Sequence, residues 1–337
     1  MRRHAVIRAV EYHLPAEVLS NDDLARCYPD WTAEKIEDKL GVRSRRIAAP
    51  SECASDLGVL AARKLFDSGA CAPADVDYLL FCSVSPDYPL QATACLIQDR
   101  LGLSKSIGAL DYSIGCSGFI YGLGLAKGLI ETGQARNVLL ITAETISKYI
   151  HPDDRKVRTL FGDAGAATLL SATSEAPIDD RPWIGPFIYG TDGAGAQHLI
   201  VKAGGQRQPT CVVGNGPSDA NLYMNGPEIL VFALAAASKA VSELLEKTRA
   251  RVDDVDRFVF HQGSKQMLDG LRRKCGISEE RFLVHMRDVG NTASPSIPIV
   301  LTEAGCSGRL QPGHLVMLVG FGVGLSWGAT LVRWPPK

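Results

Sequence analysis

Three short apolar segments occur twice in this chain, in the same order. DVDYLLF at 75–81 returns as DVDRFVF at 254–260, NVLLI at 137–141 has a counterpart in HLVML at 314–318, and AATLL at 166–170 is echoed by GATLV at 328–332. Apolar runs without alternation suit strands buried on both faces of a sheet. A helical pattern precedes each set. The first spans about 55–68, with Leu57, Leu60, Ala61 and Leu65 on one stripe, and the second, rich in Ala and Leu, spans about 227–247. Helices alternating with buried strands describe an α/β chain. Chance reuse of similar strands is the competing explanation, but three matches in order favour a duplication. The expected organisation is therefore two similar halves, 1–172 and 173–337. Their join lies in a stretch near 172–225 punctuated by Pro177, Pro182, Pro186, Gly193, Gly204 and Gly214.

Composition excludes several function classes. With 337 residues, 46% of them hydrophobic, the chain can build a large core, and a net charge of −1 leaves no footprint for nucleic acid or an anionic membrane surface. No stretch approaches the roughly 20 apolar residues of a membrane helix; the longest candidate, 315–325, contains Gly320, Gly322 and Gly324. Met1-Arg2-Arg3 is basic, yet Glu11 and His13 interrupt the apolar residues after it, so no signal peptide is expected. Nine cysteines, an odd number with no C-x-x-C pair, argue against a disulfide framework and a structural zinc site, and point to a reducing cytoplasm.

The sharpest local feature is DYSIGCSGF at 111–119, ahead of an apolar helical pattern over about 117–132 that Gly133 is placed to cap. Cys116 would stand at the helix N-terminus, where unpaired N–H groups and the macrodipole lower a thiol pKa. Its flanking glycines let a substrate approach the backbone. A buried structural cysteine beside a tight turn explains the motif equally well. In the second half, His261 ends a strand pattern (FVFHQGS, 258–264), where ligand sites of α/β sheets collect. Asn291 sits in a Gly-Asn-Thr loop before another helical run. Alone, each reads first as turn or capping chemistry. A pseudo-twofold between the halves changes this, since strand ends from both can then face one cleft and bring thiol, imidazole and carboxamide together.

In combination these motifs resemble the β-ketoacyl-acyl carrier protein synthase III family of the thiolase superfamily, over nearly the whole chain. GVRSRRIA at 41–48, FGDAGA at 161–166, MNGPE at 224–228 and FGVGLSWG at 321–328 look like family segments, and Cys116, His261 and Asn291 fall on the family's catalytic triad. The resemblance implies the thiolase fold, five layers α-β-α-β-α from two similar halves, and a homodimer. Tyr88 matches an aromatic residue that reaches toward the partner's site. Trp31 and Arg155 match residues that flank the adenine of coenzyme A, although the segment after Trp31 is longer here. Ser264 stands where the family has an Asn holding the phosphopantetheine arm, and Val323 follows Gly322 where the family has another glycine.

The implied reaction is a decarboxylating Claisen condensation. Cys116 takes an acyl group from a thioester, with the backbone N–H groups of Cys116 and Val323 as oxyanion hole. His261 and Asn291 then stabilise the enolate formed when a malonyl thioester loses CO₂. Substrates arrive on coenzyme A or acyl carrier protein, and no metal or redox cofactor is required. Two alternatives stay open: acyl transfer to an oxygen or nitrogen nucleophile on the same fold, and an inactive partner or scaffold subunit. A thiolase without decarboxylation needs a second cysteine near 320–328, which is absent. Glu303 and Asp163 are expected to be structural, the latter shaping the 162–165 turn, and Glu144 is a further candidate base. Lys265, Arg272, Arg273 and Lys274 are candidates for docking an acidic carrier, or simply a solvated helix face. Pocket size is expected to depend on the loops at 84–91 and 187–215.

Overall fold

The computed structural model describes residues 3–177, 181–209 and 216–334. Cys211 and part of the 187–215 loop therefore lie outside the described residues. Ten strands form two five-stranded sheets. The first contains β1 (His4–His13), β2 (Tyr78–Cys82), β3 (Gly108–Tyr112), β4 (Asn137–Glu144) and β5 (Ala164–Thr173) in the order β1-β5-β4-β2-β3. The second contains β6 (Ile184–Thr191), β7 (Arg257–Phe260), β8 (Phe282–Leu283), β9 (Leu315–Gly322) and β10 (Ser326–Arg333) in the order β6-β10-β9-β7-β8. Position by position the sheets agree in direction. The first two pairings of each are antiparallel and the last two parallel.

The repeated segments occupy equivalent places, β2 with β7, β4 with β9 and β5 with β10. One repeated residue does the same work twice. The Asp77 carboxylate accepts the N–H of Asn137 at the start of β4 (2.8 Å), and Asp256 accepts the N–H of Leu315 at the start of β9 (2.7 Å). Each carboxylate fixes the register of the parallel strand beside it. The first sheet ends at Thr173 and the second begins at Ile184. We propose the division between halves in this connection, a few residues beyond 172/173.

Helices supply the other three layers. The apolar stripe of α1 (Ala54–Asp67) packs on the outer face of the first sheet, and α3 (Gly226–Thr248) on that of the second, with α4 (Lys265–Lys274) beside it. Between the sheets lie α2 (Gly118–Glu131) and α5 (Ser296–Cys306), each touching both. The five-layer order expected from the resemblance is the one observed. α2 is two residues shorter than its sequence pattern, because Ser117 belongs to a separate 3₁₀ turn, Gly115–Ser117, and Thr132 is the C-cap. Gly133 adopts φ +80 just beyond it, as the C-terminal position requires. No helix among the described residues is long and apolar enough to cross a membrane.

Layer spacing is set partly by glycine. A Cβ on Gly165 of β5 would lie 2.4 Å from the backbone carbonyl of Leu57 in α1, whereas one on Gly128, exposed on α2, would meet nothing within 4 Å. Gly165→Ala should therefore destabilise the fold by about 2 kcal/mol through overpacking. Gly128→Ala should stabilise it by up to about 1 kcal/mol through helix propensity. Urea unfolding of both variants checks the contrast, and equal effects would contradict this packing.

Candidate active site

The parallel strands β2, β3 and β4 end at one edge of the first sheet, and β7 and β9 end at the facing edge of the second. Cys116 follows β3 in the 3₁₀ turn Gly115–Ser117. The turn is possible because Gly115 takes φ +57, and because a Cβ there would meet Val323 Cγ1 at 2.6 Å. Strand β9 passes so close that a Cβ on Gly322 would lie 2.9 Å from Cys116 Sγ, and one on Gly320 2.8 Å from Ser117 Cα. The backbone N–H groups of Cys116 and Val323 both donate toward the sulfur. Val323 is not among the residues with positive φ, so its β-branch carries no backbone strain. Ser117 Oγ lies 2.7 Å from Ser326 Oγ, which donates to the Val323 carbonyl at 2.6 Å and steadies this turn.

The thiol differs from the sequence expectation. Cys116 is only 7% exposed, and burial pushes its pKa up to about 12, with the Glu144 carboxylate acting in the same direction. The two amide donors pull the other way and lose. A helix terminus stabilises a thiolate only by local dipoles, and removing the anion from water costs more.

His261 directly follows β7, and Asn291 lies in the loop before α5; both are buried. His261 Nδ1 is 2.8 Å from Ser296 Oγ, and that oxygen receives the Gln262 N–H at 3.5 Å. When the Ser296 hydroxyl donates to Nδ1, the proton of a neutral ring sits on Nε2. Burial lowers the His261 pKa to about 3, so the imidazole is neutral. The Asn291 carboxamide is oriented by the Ala293 N–H, which donates to Oδ1 at 2.9 Å, while Nδ2 makes only a long 3.4 Å bond to the Gly263 carbonyl. Asn291 N and O bond to Leu160 and Gly162, so its loop is tied to the first half of the chain.

Cys116, His261, Asn291 and Gly322 line one cavity of about 730 Å³, together with Ser264. Its inner wall is apolar, with Leu199, Ile229, Leu230, Met267 and Phe321. At the mouth stand Trp31 and Arg155, the guanidinium carbon 6.0 Å from the ring centroid. Lys39 also lines the mouth, 5.2 Å from the same ring, and Lys156 lines it too. Sequence reasoning missed both lysines; the longer segment after Trp31, which forms the helix Ala33–Leu40, was the available signal.

Other expectations are placed elsewhere. Tyr88 is 57% exposed and does not line the cavity of its own chain, nor does any residue of 84–91. Ser264 Oγ caps α4 by accepting the Met267 N–H at 3.4 Å. The Asp163 carboxylate does not bond within its own turn. It accepts the Ala48 N–H (2.8 Å) and the Ser147 N–H (2.9 Å), joining two distant segments. Glu303 accepts the Tyr12 hydroxyl at 2.6 Å, a structural bond. Arg272 and Lys274 bond the carbonyls of Ile277 and Leu234.

The depressed His261 pKa fixes a sign. Between about pH 6.5 and 3 the unfolded chain binds a proton at this residue that the folded protein does not, so its contribution to stability falls as the pH drops through that window. Imidazole NMR should find His261 neutral at pH 5; a ring half-protonated near pH 6.5 would contradict the geometry.

Comparison with known proteins identifies the family by sequence and by fold. Residues 110–193 match the family model described as 3-oxoacyl-[acyl-carrier-protein] synthase III, and residues 245–334 match its C-terminal model. A β-ketoacyl-[acyl-carrier-protein] synthase III of Symbiobacterium thermophilum is 38% identical over 321 residues, covering 95% of each chain. A 2.1 Å crystal structure of a 3-oxoacyl-(acyl-carrier-protein) synthase III superposes with TM-score 0.95 at 48% identity, covering 98% of this chain and all of that one. The priming β-ketosynthase of the R1128 polyketide pathway superposes with TM-score 0.87 at 29% identity, covering 99% and 97%. With its fold, its strand-end site and these likenesses, the chain belongs to the β-ketoacyl-[acyl-carrier-protein] synthase III family of the thiolase superfamily.

Proposed function

We propose that the protein is a condensing enzyme that joins an acyl primer, carried on Cys116, to the two-carbon unit of a malonyl thioester with loss of CO₂. The observation that carries this reading is the meeting of a thiol flanked by two amide donors with a neutral imidazole and a free carboxamide N–H in one apolar-walled cavity.

In the first half-reaction, Cys116 Sγ attacks the acyl thioester carbonyl. The negative charge moves to the carbonyl oxygen, where the Cys116 and Val323 N–H groups receive it, each worth about 3 kcal/mol in comparable sites. The carbon–sulfur bond of the donor then breaks, the carrier thiol leaves with the Cys116 proton, and acyl-Cys116 remains. In the second, the malonyl thioester carbonyl accepts hydrogen bonds from His261 Nε2–H and Asn291 Nδ2–H. The bond to the carboxylate breaks, CO₂ departs, and the electron pair forms an enolate held by those two donors. Its carbon attacks acyl-Cys116, the carbon–sulfur bond breaks, the β-ketoacyl thioester leaves, and the released Cys116 thiolate takes up one proton from water. The water-poor wall strengthens both donors and disfavours the malonyl carboxylate.

Trp31 and Arg155 at the mouth suit the adenine end of coenzyme A, with Lys39 and Lys156 positioned for its phosphates. Gly322 lines the cavity and lets its strand pass directly against Cys116. Ser264, spent on its helix cap, offers the pantetheine arm a shorter reach than an asparagine. An acidic acyl carrier protein remains the second substrate carrier in this reading. The functional unit is read as a homodimer, supported by Tyr88, by Leu90 at 93% exposure, and by Leu110 on the edge strand β3.

Intact-protein mass spectrometry against a panel of acyl-coenzyme A donors, paired with CO₂ release from a malonyl thioester, tests the reading. Cys116→Ala should abolish the mass shift and condensation. His261→Ala and Asn291→Ala should keep self-acylation while CO₂ release falls by about 10²-fold or more. Clean acyl transfer without CO₂ release would favour an acyltransferase instead, and no acylation by any donor would favour a scaffold.

A further inference from the structure

One buried charge at this site has no part in the two half-reactions. Glu144 ends β4, is fully buried, and makes no ion pair among the described residues. Its carboxylate is instead ringed by neutral donors from two parts of the chain. Oε2 accepts Ser83 Oγ–H at 3.2 Å, the Val84 N–H at 3.0 Å and Ser85 Oγ–H at 3.0 Å, while Oε1 accepts Ser294 Oγ–H at 2.7 Å. Ser85 Oγ in turn receives the Thr145 N–H at 2.9 Å.

These partners are those that frame the reacting groups. The 83–85 loop underlies the nucleophile turn, with Val84 Cγ1 3.3 Å from the Cβ position of Gly115. Ser294 belongs to the loop that holds Asn291 and is preceded by Ala293, whose φ of +55 is a costly conformation for a residue with a Cβ. The backbone of Asn291 is bonded to Leu160 and Gly162 of the first half, and Ser294, between Asn291 and the Ser296 that faces His261, adds a side-chain bond to the same half.

We propose that Glu144 is a positioning residue that clamps the Asn291 loop to the floor beneath Cys116, and that its carboxylate, when ionised, adds to burial in keeping Cys116 a thiol in the resting enzyme. The titratable groups facing the carboxylate are Cys82 at the end of β2, Tyr112 at the end of β3, Cys116, and Tyr149 beyond β4. None is a cation, so among these groups no opposite charge offsets its effect at the sulfur, which adds to the larger effect of burial. Burial raises the carboxyl itself to about 7, and the four donors hold it down against a larger rise. The charge thus follows the pH of the cell, and ionisation of the sulfur is deferred until a thioester carbonyl lies against the two amide donors. A resting thiol is less open to oxidation and stray alkylation than a thiolate.

The experiment compares wild type, Glu144→Gln and Ser294→Ala as full-length protein. The first measurement is the pH dependence of iodoacetamide alkylation at Cys116, read by peptide mass mapping; it needs no substrate and so does not depend on the condensing reading, on which only the kinetic arm rests. Glutamine keeps the shape and removes the charge. Its alkylation midpoint should fall by about one pH unit or more, making Cys116 about tenfold more reactive at pH 8. Ser294→Ala removes one strut of the clamp without touching the nucleophile turn, and should slow condensation about tenfold more than self-acylation. A Glu144→Gln profile that superimposes on wild type or shifts upward overturns the electrostatic task. Equal effects of Ser294→Ala on both half-reactions, or none, overturn the clamp, and this arm stands even where Glu144→Gln does not fold.

Discussion

The molecule is organised around a backbone-to-backbone contact between the Gly115–Ser117 turn of the first half and strand β9 of the second. At Gly320 and Gly322 the strand passes so near that no side chain fits between it and Cys116. This contact is why two sheets, two buried helices and an irregular connection make an active site at all. It brings the Val323 N–H to the sulfur that the first half supplies, and it points the ends of β7 and β9 at the ends of β2, β3 and β4. The proposed oxyanion hole, with one donor from each half, forms only when both halves are folded and seated. Layer packing and catalysis are therefore the same constraint seen at two scales.

The electrostatics of the cavity follow from its dryness. Burial keeps His261 neutral, keeps Cys116 protonated and lifts the Glu144 carboxyl toward neutrality. Each shift opposes charge at rest. The proposed reaction creates negative charge twice, first on an acyl oxygen and then on an enolate oxygen, and at each point neutral donors already aimed at the site can receive it without reorganising. A protonated histidine or a standing thiolate would bind a ground-state carboxylate or repel the incoming malonyl group. A neutral site favours the state reached after CO₂ has left.

Much of the fold was legible because it rests on local pattern. The apolar runs at 78–82, 137–144 and 164–173 are strands since both faces are covered, and the repeated Asp77 and Asp256 mark equivalent strand starts. The convergence of Cys116, His261 and Asn291 was legible only through the duplication and the family resemblance, because 175 positions separate the ends of the set. The thiol's ionisation was misread. A helix start can be seen in sequence, but the desolvation that outweighs it is a property of the assembled layers. The Ser83, Ser85 and Ser294 donors around Glu144 were invisible for the same reason, being 61, 59 and 150 residues from it. Tyr88 could be matched by motif, yet it is exposed and does not line the cavity of its own chain.

Two of the departures from the family pattern, at 323 and 264, separate what is held by backbone from what is held by side chain. At Val323 the requirement is an N–H at a fixed place, and any residue with negative φ meets it; the valine methyl then fills the space that Gly115 leaves by lacking a Cβ, so the turn is tightened rather than lost. At 264 the requirement is met differently. Ser264 keeps α4 capped, which preserves the floor of the cavity, but its hydroxyl is consumed in doing so. Substitution at the first position leaves the chemistry where it was, while substitution at the second alters what holds the thioester's arm. Differences in carrier and primer preference among such enzymes should therefore concentrate at side chains of the cavity mouth and wall, such as Lys39, Leu199 and Ser264, and not at the amides around the sulfur.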